Sequence, residues 1–358
     1  MRLASFTARG RTSFGVVDGE GVIDLRLRFG VRYVTLLDLL RAGALHEVKP
    51  AITGVRADFP LSEVELLPPI LAPEKILCIG INYNRDSEYK GQNLKETGYP
   101  SMFYRHPGSL VGQNHSIILP KESEQLDYEG EIALVIGREG KKIPKERAHE
   151  YIAGLTLCNE GCLRDWMRHG KFNVTQGKNF DASGSIGPWI VTSDELDPAK
   201  NLHLTTTVNG EVRQDTTTAM MMLSFADLIA YVTRFMTLRP GDIISTGTPL
   251  GSGMGFDPPR WLQAGDVVEV TVPEIGTLRN AVVAETLNDC GWIRGAQCLR
   301  DRLADWSFAL ADHPQLLASP AWHCGRIPRR SGDAGCVSRI PEIAAATGLR
   351  GRQRHAAA

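Results

Sequence analysis

The chain has 358 residues and carries 40 Lys and Arg against 41 Asp and Glu, for a formal net charge of -1. This balance provides no overall field to attract nucleic acid or an anionic membrane, so we expect neither as a partner. Hydrophobic residues make up 42% and charged residues 23%, which excludes a disordered or fibrous chain. No apolar run approaches the roughly 18 residues of a membrane span, and the first residues lack an apolar signal core. We therefore expect a folded, soluble, cytoplasmic protein.

The first 70 residues are predicted to form a small N-terminal domain. Residues 14–25 are typical of a hairpin, because apolar runs flank Asp18-Gly19, which tolerates a tight turn. A helical period follows over 35–41. Prolines then recur over 67–73, and we place the domain boundary near residue 70.

Residues 71–288 are predicted to form a catalytic domain that is α+β and dominated by strands, since Gly and Pro recur at short intervals between apolar runs. Two helices are expected within it, over 144–154 and 224–236. The strands are expected over 75–79, 132–137, 243–245, 267–270 and 277–282.

The C-terminal segment, 289–358, differs in composition. From Gly291 onward it contains ten Arg and no Lys, and it shows no sustained apolar period. We expect a poorly ordered, Arg-rich extension, and we assign it no function. The seven cysteines of the chain lack the spacing of a disulfide framework or a zinc cluster, so we expect reduced thiols.

Acidic residues precede the apolar strand at 132–137. Glu129 and Glu131 are two residues apart, so as strand residues they face the same side. Two like charges at this position favour a cation, and oxygen ligands suit Mg²⁺, Mn²⁺ or Ca²⁺ better than zinc. Glu160 is a candidate third ligand. The alternatives are a solvated strand end for the first two acids and a helix-dipole interaction for Glu160.

Two further segments carry polar groups among small residues. Lys178 lies in Gly177-Lys178-Asn179, where a semi-buried ammonium would need an anionic partner such as a substrate carboxylate or a developing enolate. The alternative is a surface lysine. The loop 245–253 could hold a carboxylate through backbone N–H groups and the hydroxyl of Thr248. It lacks the glycine spacing of nucleotide-binding loops.

Together these segments resemble the fumarylacetoacetate hydrolase superfamily over about residues 70–288. The resemblance implies a mixed β-roll catalytic domain after a small N-terminal domain, a homodimer, and Mg²⁺ or Mn²⁺ as cofactor. The segments that carry it are, in chain order, Gly80-Ile81-Asn82-Tyr83, Phe103 with Arg105, Asp127-Tyr128-Glu129-Gly130-Glu131, Asn159-Glu160 with Arg164-Asp165, Gly177-Lys178-Asn179-Phe180, Gly187-Pro188, Asn209-Gly210-Glu211 with Gln214-Asp215, and Thr246-Gly247-Thr248-Pro249.

The resemblance also implies roles for individual side chains. Glu129, Glu131 and Glu160 would bind the metal ion. Lys178 would face the substrate, and Thr248 would receive its carboxylate. Arg105 and Gln214 would be further donors to the substrate in the pocket.

The chain departs from the family pattern in two places. The usual Asn-Asp is Asn159-Glu160, one methylene longer. The usual His and Glu that activate water, three residues apart after Asn-Tyr, are replaced by Asp86 and Tyr89. Without that imidazole, a water-activating base near neutral pH must come from elsewhere. The candidates are Asp86, Glu88 and His169.

The predicted function is that of a hydrolase acting on carbon–carbon bonds in ketonic substances. The substrate would be a 2,4-dioxo acid of the acylpyruvate or fumarylacetoacetate type, in the catabolism of aromatic or related compounds. A metal-stabilised enolate would equally serve a decarboxylase or an isomerase or hydratase of a 2-oxo acid, and these reactions need no activated water. The remaining alternative is a metal-binding family member without catalytic activity.

Overall fold

The computed structural model describes residues 1–84, 99–170 and 173–286, in which strands predominate. The strands are β1 Arg2–Ala8, β2 Arg11–Asp18, β3 Gly21–Asp24, β4 Phe59–Pro60, β5 Glu65–Leu66, β6 Ile76–Ile79, β7 Met102–Arg105, β8 Leu110–Val111, β9 Ile117–Leu119, β10 Leu126–Asp127, β11 Gly130–Ile136, β12 Ile152–Asn159, β13 Cys162–Leu163, β14 Gly184–Thr192, β15 His203–Val208, β16 Glu211–Thr217, β17 Ile243–Ser245, β18 Val267–Val272 and β19 Gly276–Ala284. The α-helices are α1 Leu25–Phe29, α2 Leu36–Arg41, α3 Val48–Ile52, α4 Thr175–Lys178 and α5 Phe225–Val232.

Among the described residues the strands form one large sheet and two smaller ones. The large sheet has the order β4-β3-β2-β1-β14-β12-β11-β17-β6-β7, with β5 on β1 and β8 on β14. A five-stranded sheet has the order β16-β15-β18-β19-β9, and β10 pairs with β13. Most pairs are antiparallel, whereas β17–β6, β14–β8 and β19–β9 are parallel. The two larger sheets are therefore mixed, and the fold is α+β and dominated by strands, as predicted.

The central strand β11 is buried on both faces. Ile132 and Leu134 pack into a core that also includes Val270 of the five-stranded sheet and Leu228 of α5. Ala133, on the opposite face, packs into a second core with residues of the N-terminal strands and helices. This two-sided burial explains why residues 132–136 form an unbroken apolar run rather than an alternating one.

The predicted N-terminal hairpin is confirmed, since β2 pairs with β3 around a turn at Gly19-Glu20. The strand β1 also pairs with β14, with Leu3 opposite Ile190. The first residues therefore extend the same sheet that carries the later strands. The boundary near residue 70 stays a prediction, and the extension 289–358 lies outside the described residues.

One of the two predicted helices is confirmed, although it ends at Val232 rather than at Met236, and the other is wrong. The helix α5 starts after Ser224, which forms a capping box with Asp227. The segment predicted as a helix over 144–154 instead contains a 3-10 helix, Lys145–Tyr151, followed by strand β12. Gly154 does not end a helix but lies within β12, where an added Cβ would come 2.3 Å from the carbonyl oxygen of Val191. This glycine is needed for close strand packing.

None of the helices in the described parts of the chain is long and apolar enough to cross a membrane.

Candidate metal and substrate site

The pairing of β11 with β12 brings the three candidate metal ligands together. Gly130 lies opposite Asn159 in this pair, so the residues just before β11 and just after β12 are adjacent. The backbone N–H of Glu160 donates to the carbonyl oxygen of Glu129 across 2.8 Å. Carboxylate oxygens of Glu129, Glu131 and Glu160 lie within 4.8 Å of one another, and all three residues are buried.

The burial of this acidic cluster is electrostatically costly. Burial, together with the charges of Glu160 and Glu129, raises the pKa of Glu131 well above its ordinary value. Burial also raises the pKa of Glu160, although the neighbouring Lys178 opposes the rise. Three buried carboxylates that repel one another and offer only oxygen atoms are the donor set that Mg²⁺ or Mn²⁺ prefers. The residues present therefore fit a divalent ion.

Lys178 points into the carboxylate cluster from the last residue of α4. Its Nζ lies 2.5 Å from Oε2 of Glu129 and 3.2 Å from Oε1 of Glu160, and it lies over the Phe103 ring at 5.3 Å from the centroid. Burial alone would lower the pKa of Lys178, but the two carboxylates outweigh it and the pKa lies above its ordinary value. Lys178 is therefore held as a charged ammonium, and it is not the surface lysine of the alternative interpretation.

Glu131 is fixed through one of its two carboxylate oxygens. The Ser245 hydroxyl donates to Oε2 across 2.6 Å, and the N–H of Gly247 donates to the same oxygen across 2.8 Å. Both donors come from β17 and the loop after it, which adjoins β11 in the sheet. The other oxygen, Oε1, is therefore the one that Glu131 can offer to an ion.

Arg105 is also buried, at the end of β7, and it contacts the cluster rather than an open pocket. Each of its five N–H groups has an acceptor in the protein, and one of these is Oε1 of Glu160 at 3.2 Å. In this arrangement no N–H group remains for a substrate. The sequence-based role of Arg105 as a substrate donor therefore lacks a free donor here.

Arg164 links a candidate metal ligand to a further buried acid. Its Nη2 donates to Oε1 of Glu129 across 2.6 Å, and its Nε donates to Oδ2 of Asp127 across 2.7 Å. Asp127 also accepts the backbone N–H groups of Gly253 and Met254. This acid thus joins Arg164 to the loop that follows β17.

That loop is attached along the whole length of the acidic segment, and in antiparallel order. Besides the bonds from Gly247 to Glu131 and from Gly253 to Asp127, the Thr248 hydroxyl donates to the carbonyl oxygen of Gly130 across 3.0 Å. The Tyr128 hydroxyl donates to the carbonyl oxygen of Gly251 across 2.9 Å. The candidate carboxylate-binding loop is therefore preformed against the candidate metal ligands.

Gln214, on β16, forms hydrogen bonds to both the acidic segment and the loop after β17. Its Oε1 accepts the N–H of Gly130, while its Nε2 donates to the Thr248 hydroxyl across 2.8 Å and to the carbonyl oxygen of Pro249. Gln214 and Thr248 thus contact each other beside the cluster. Their contact with a substrate stays a prediction.

The candidate bases are not part of the cluster. His169 is exposed at the end of a 3-10 helix, and its ring lies 4.3 Å from that of Trp166 between centroids. Asp86 and Glu88 lie outside the described residues. None of the histidines that the structure describes belongs to the group of acids that could hold a metal ion.

Sequence reasoning gives no role to Asp127, Ser245 or Arg164. Arg164 and Asp127 are 37 residues apart, and Ser245 is 114 residues from Glu131. No local pattern signals such contacts. The one available signal is the acid two residues before Glu129, at the start of the acidic segment.

Comparison with known proteins agrees with this geometry. The family model described as Fumarylacetoacetate (FAA) hydrolase C-terminal matches residues 75–283. The mitochondrial oxaloacetate tautomerase Fahd2a of Rattus norvegicus is 39% identical over 268 residues, which are 74% of this chain and 85% of the relative. This relative is named as an enzyme.

Solved structures extend the match. A fumarylacetoacetate hydrolase from Exiguobacterium antarcticum superposes with a TM-score of 0.70 at 34% identity, covering 80% of this chain and all of that one. The maleylpyruvate hydrolase from Sphingobium sp. SYK-6, in complex with manganese(II) and pyruvate, gives 0.66 at 26% identity with the same coverage. The family match over most of the described residues and the close relative agree, and this chain is a member of the fumarylacetoacetate hydrolase family.

Proposed function

We propose that the protein is a divalent-metal-dependent enzyme that acts on a 2-oxo acid through its enol form, and that its reaction is keto–enol tautomerisation of a short 2-oxo diacid such as oxaloacetate. The observation that carries the proposal is the buried cluster of three carboxylates with Lys178 held charged inside it. The 39% identity to a protein named oxaloacetate tautomerase supports this choice of reaction.

Glu129, Glu131 and Glu160 would hold the Mg²⁺ or Mn²⁺ ion. When bound, the ion supplies Lewis acidity that polarises the 2-oxo group. Glu131 is already oriented for this role, because Ser245 and Gly247 fix one of its carboxylate oxygens. Such outer contacts orient metal ligands and tune their affinity.

Lys178 would stabilise the negative charge that develops on the substrate oxygen. Its raised pKa keeps the ammonium protonated, so it provides charge and hydrogen bonds but does not accept a proton. The proton moved between carbon and oxygen must therefore be carried by another group. Asp86 and Glu88 are the residues that we propose for this step, with His169 as a third candidate.

The loop after β17 would bind the carboxylate of the substrate. Thr248 is preformed beside the ligands, but its hydroxyl donates to Gly130 and accepts from Gln214 in the structure. Binding a carboxylate would require this hydroxyl to turn away from Gly130. Gln214 would then keep the loop in place rather than contact the substrate itself.

A second candidate is hydrolysis of a carbon–carbon bond in an acylpyruvate. It is favoured by the likeness to a structure titled maleylpyruvate hydrolase, solved with manganese(II) and pyruvate. Hydrolysis needs an activated water, however, and the described part of the cluster contains no imidazole. Tautomerisation requires only proton transfer, which is why we rank it first.

The experiment that tests the proposal is turnover of a small substrate panel with Mn²⁺ or Mg²⁺, with products identified by NMR. The panel contains oxaloacetate in its enol form, an acylpyruvate and an unsaturated 2-oxo diacid. Accelerated enol-to-keto conversion that requires the metal would support tautomerisation. Release of pyruvate with a second acid would support hydrolysis instead, and carbon dioxide release would indicate a decarboxylase.

If the chain binds oxalate or pyruvate but converts none of these substrates, it is a metal-binding family member without catalytic activity. We further propose that the protein is a homodimer, which size-exclusion chromatography with light scattering would test. The cytoplasmic location stays a prediction, and the rat relative is named as mitochondrial.

A further inference from the structure

We infer that Arg105 is a positioning residue for the third metal ligand, Glu160, and that it acts on metal affinity through this one carboxylate. The inference rests on the proposed metal site. It assigns Arg105 a different role from that of a substrate-binding residue.

The contacts of Arg105 show that its guanidinium is fixed from several directions. Nε donates to the Ser109 hydroxyl across 3.0 Å, and Nη2 donates to the Ser183 hydroxyl across 3.0 Å and to the Ser109 carbonyl oxygen. Nη1 donates to the carbonyl oxygen of Gly161 across 2.7 Å and to Oε1 of Glu160 across 3.2 Å. The guanidinium is therefore held in one position, and its contact with Oε1 fixes the Glu160 carboxylate in turn.

Contacts that hold the Glu160 carboxylate in one orientation matter because this side chain is flexible. Its side chain has one more rotatable bond than the Asp that is usual in the family, so a larger loss of rotamer freedom accompanies its ordering. Arg105 and Lys178 both contact Oε1 of Glu160, each at 3.2 Å. With Oε1 held in this way, Oε2 is the oxygen that Glu160 can present to the ion.

Close packing around the guanidinium leaves little room for it to shift. A Cβ added at Gly184 would come 3.1 Å from Nη2 of Arg105 and 2.6 Å from the carbonyl oxygen of Asn159. The Arg105 side chain is 0% exposed. A lysine at this position keeps the charge but loses the planar fork that reaches Ser109, Ser183 and Glu160 together.

The test is a double-mutant cycle on Mn²⁺ affinity, measured by electron paramagnetic resonance in the absence of substrate. The variants are Arg105→Lys, Glu160→Asp and the double variant. We expect Arg105→Lys to weaken Mn²⁺ binding about tenfold, as removal of an outer contact to a metal ligand does. We expect Glu160→Asp to weaken it by a similar factor, because the shorter carboxylate loses its contact with the Arg105 guanidinium. We expect the double variant to be about as weak as the weaker single variant, because both changes break the same contact.

A milder variant tests the same inference if Arg105→Lys fails to fold. Ser183→Ala removes one anchor of the guanidinium and no charge, and we expect it to weaken Mn²⁺ binding by roughly threefold, below the full loss of an outer-shell partner. The matched control is the exposed pair Arg147 and Glu150, with Nη2 and Oε2 2.7 Å apart. Arg147→Lys, Glu150→Asp and their double variant should leave Mn²⁺ affinity unchanged.

Additive losses in the cycle, about a hundredfold in the double variant, would overturn the inference, since Arg105 would then act independently of Glu160. Unchanged Mn²⁺ affinity in both Arg105→Lys and Ser183→Ala would overturn it as well, while leaving the proposed metal function intact. Absence of Mn²⁺ binding by the unaltered chain would contradict both the inference and the proposed function.

Discussion

The Nζ atom of Lys178 lies 2.5 Å from Oε2 of Glu129, so a buried ammonium is in direct contact with a carboxylate of the candidate metal site. The same ammonium lies 3.2 Å from Oε1 of Glu160. Lys178 therefore neutralises part of the charge that would otherwise attract a cation. Replacing this lysine should therefore affect metal affinity and turnover differently, and the two effects can be measured separately.

Replacing Lys178 by Met should reduce kcat while leaving metal affinity intact or stronger. Loss of a charge aimed at a developing oxyanion costs about a hundredfold or more in kcat. Removal of the ammonium also leaves Glu129 and Glu160 with less compensation, which favours a divalent ion. Steady-state kinetics and Mn²⁺ titration measure the two effects. Lys145, exposed and paired with Asp227 across 2.6 Å, provides the control Lys145→Met. Weaker Mn²⁺ binding in Lys178→Met would contradict this separation.

The variant Glu131→Gln should lose metal binding and yet be more stable than the unaltered protein when metal is absent. The amide keeps the shape of the side chain, and its oxygen can still accept from Ser245 and Gly247. At a pH at which Glu131 is ionised, it also removes a buried charge that Glu160 and Glu129 repel. Thermal unfolding with and without Mn²⁺ tests this: the metal-free Tm should rise and the shift caused by Mn²⁺ should disappear. Glu150→Gln, at an exposed ion pair, should change neither value. A persisting Mn²⁺ shift would exclude Glu131 as a ligand.

The apparent Mn²⁺ affinity should increase with pH over a range above that of ordinary carboxyl groups. Burial and the neighbouring carboxylates raise the pKa of Glu131, and burial raises that of Glu160. The metal-free folded state then binds protons more tightly than the unfolded chain. Its stability contribution from these groups is greatest at low pH and falls as pH rises from about 4.5 through the raised values.

Because the ion binds the ionised carboxylates, it must displace these protons. Calorimetric titration with Mn²⁺ in buffers of different ionisation enthalpy should therefore detect proton release that diminishes toward high pH. The stabilisation that Mn²⁺ gives to the fold should grow as pH rises from about 4.5 through the raised pKa values of these groups. A pH-independent affinity without proton release would show that the cluster is already fully ionised.

Sequence patterns predict the elements whose signals are local. The capped helix after Ser224 and the apolar strand β11 are of this kind, and the structure confirms both. The prediction of a helix over 144–154 is wrong because it depends on the sequence neighbours of Gly154 alone. The actual constraint on this glycine is the backbone of Val191, on the adjacent strand β14. No local pattern contains that information.

In the candidate site, too, local sequence patterns predict some features, and others depend on contacts between distant segments. The spacing of Glu129 and Glu131 by itself indicates a shared site, because residues two positions apart in a strand face the same side. The environment of Arg105 could not be predicted, because its contacts with Glu160 and Ser183 join segments 55 and 78 residues apart. Without those contacts, a buried arginine near a pocket is naturally interpreted as a substrate donor. The side chain is instead fully occupied within the protein.

The buried pair of Asp127 and Arg164 should be important for stability as well as for the site. Oδ2 of Asp127 accepts Nε of Arg164 across 2.7 Å, and Oδ1 accepts the N–H of Gly253 across the same distance. The variant Asp127→Asn removes a buried negative charge that faces the Arg164 guanidinium. It also places an amide N–H group beside the N–H groups of Arg164 and Gly253, which need an acceptor. Breaking a buried pair in this way costs about 3–5 kcal/mol of unfolding free energy.

Urea denaturation measures this loss, and Asp215→Asn provides the control. Asp215 is 63% exposed and pairs with His203 at the surface, so its variant should change the unfolding free energy by less than about 1 kcal/mol. KM of Asp127→Asn should also rise, because the loop from Gly247 to Gly253 loses its attachment at the far end. If the unfolding free energy of Asp127→Asn equalled that of the control, the buried pair would not hold the loop to the metal ligands. The preformed geometry would then depend on the contacts of Gly247, Thr248, Tyr128 and Gln214 between the loop and the acidic segment.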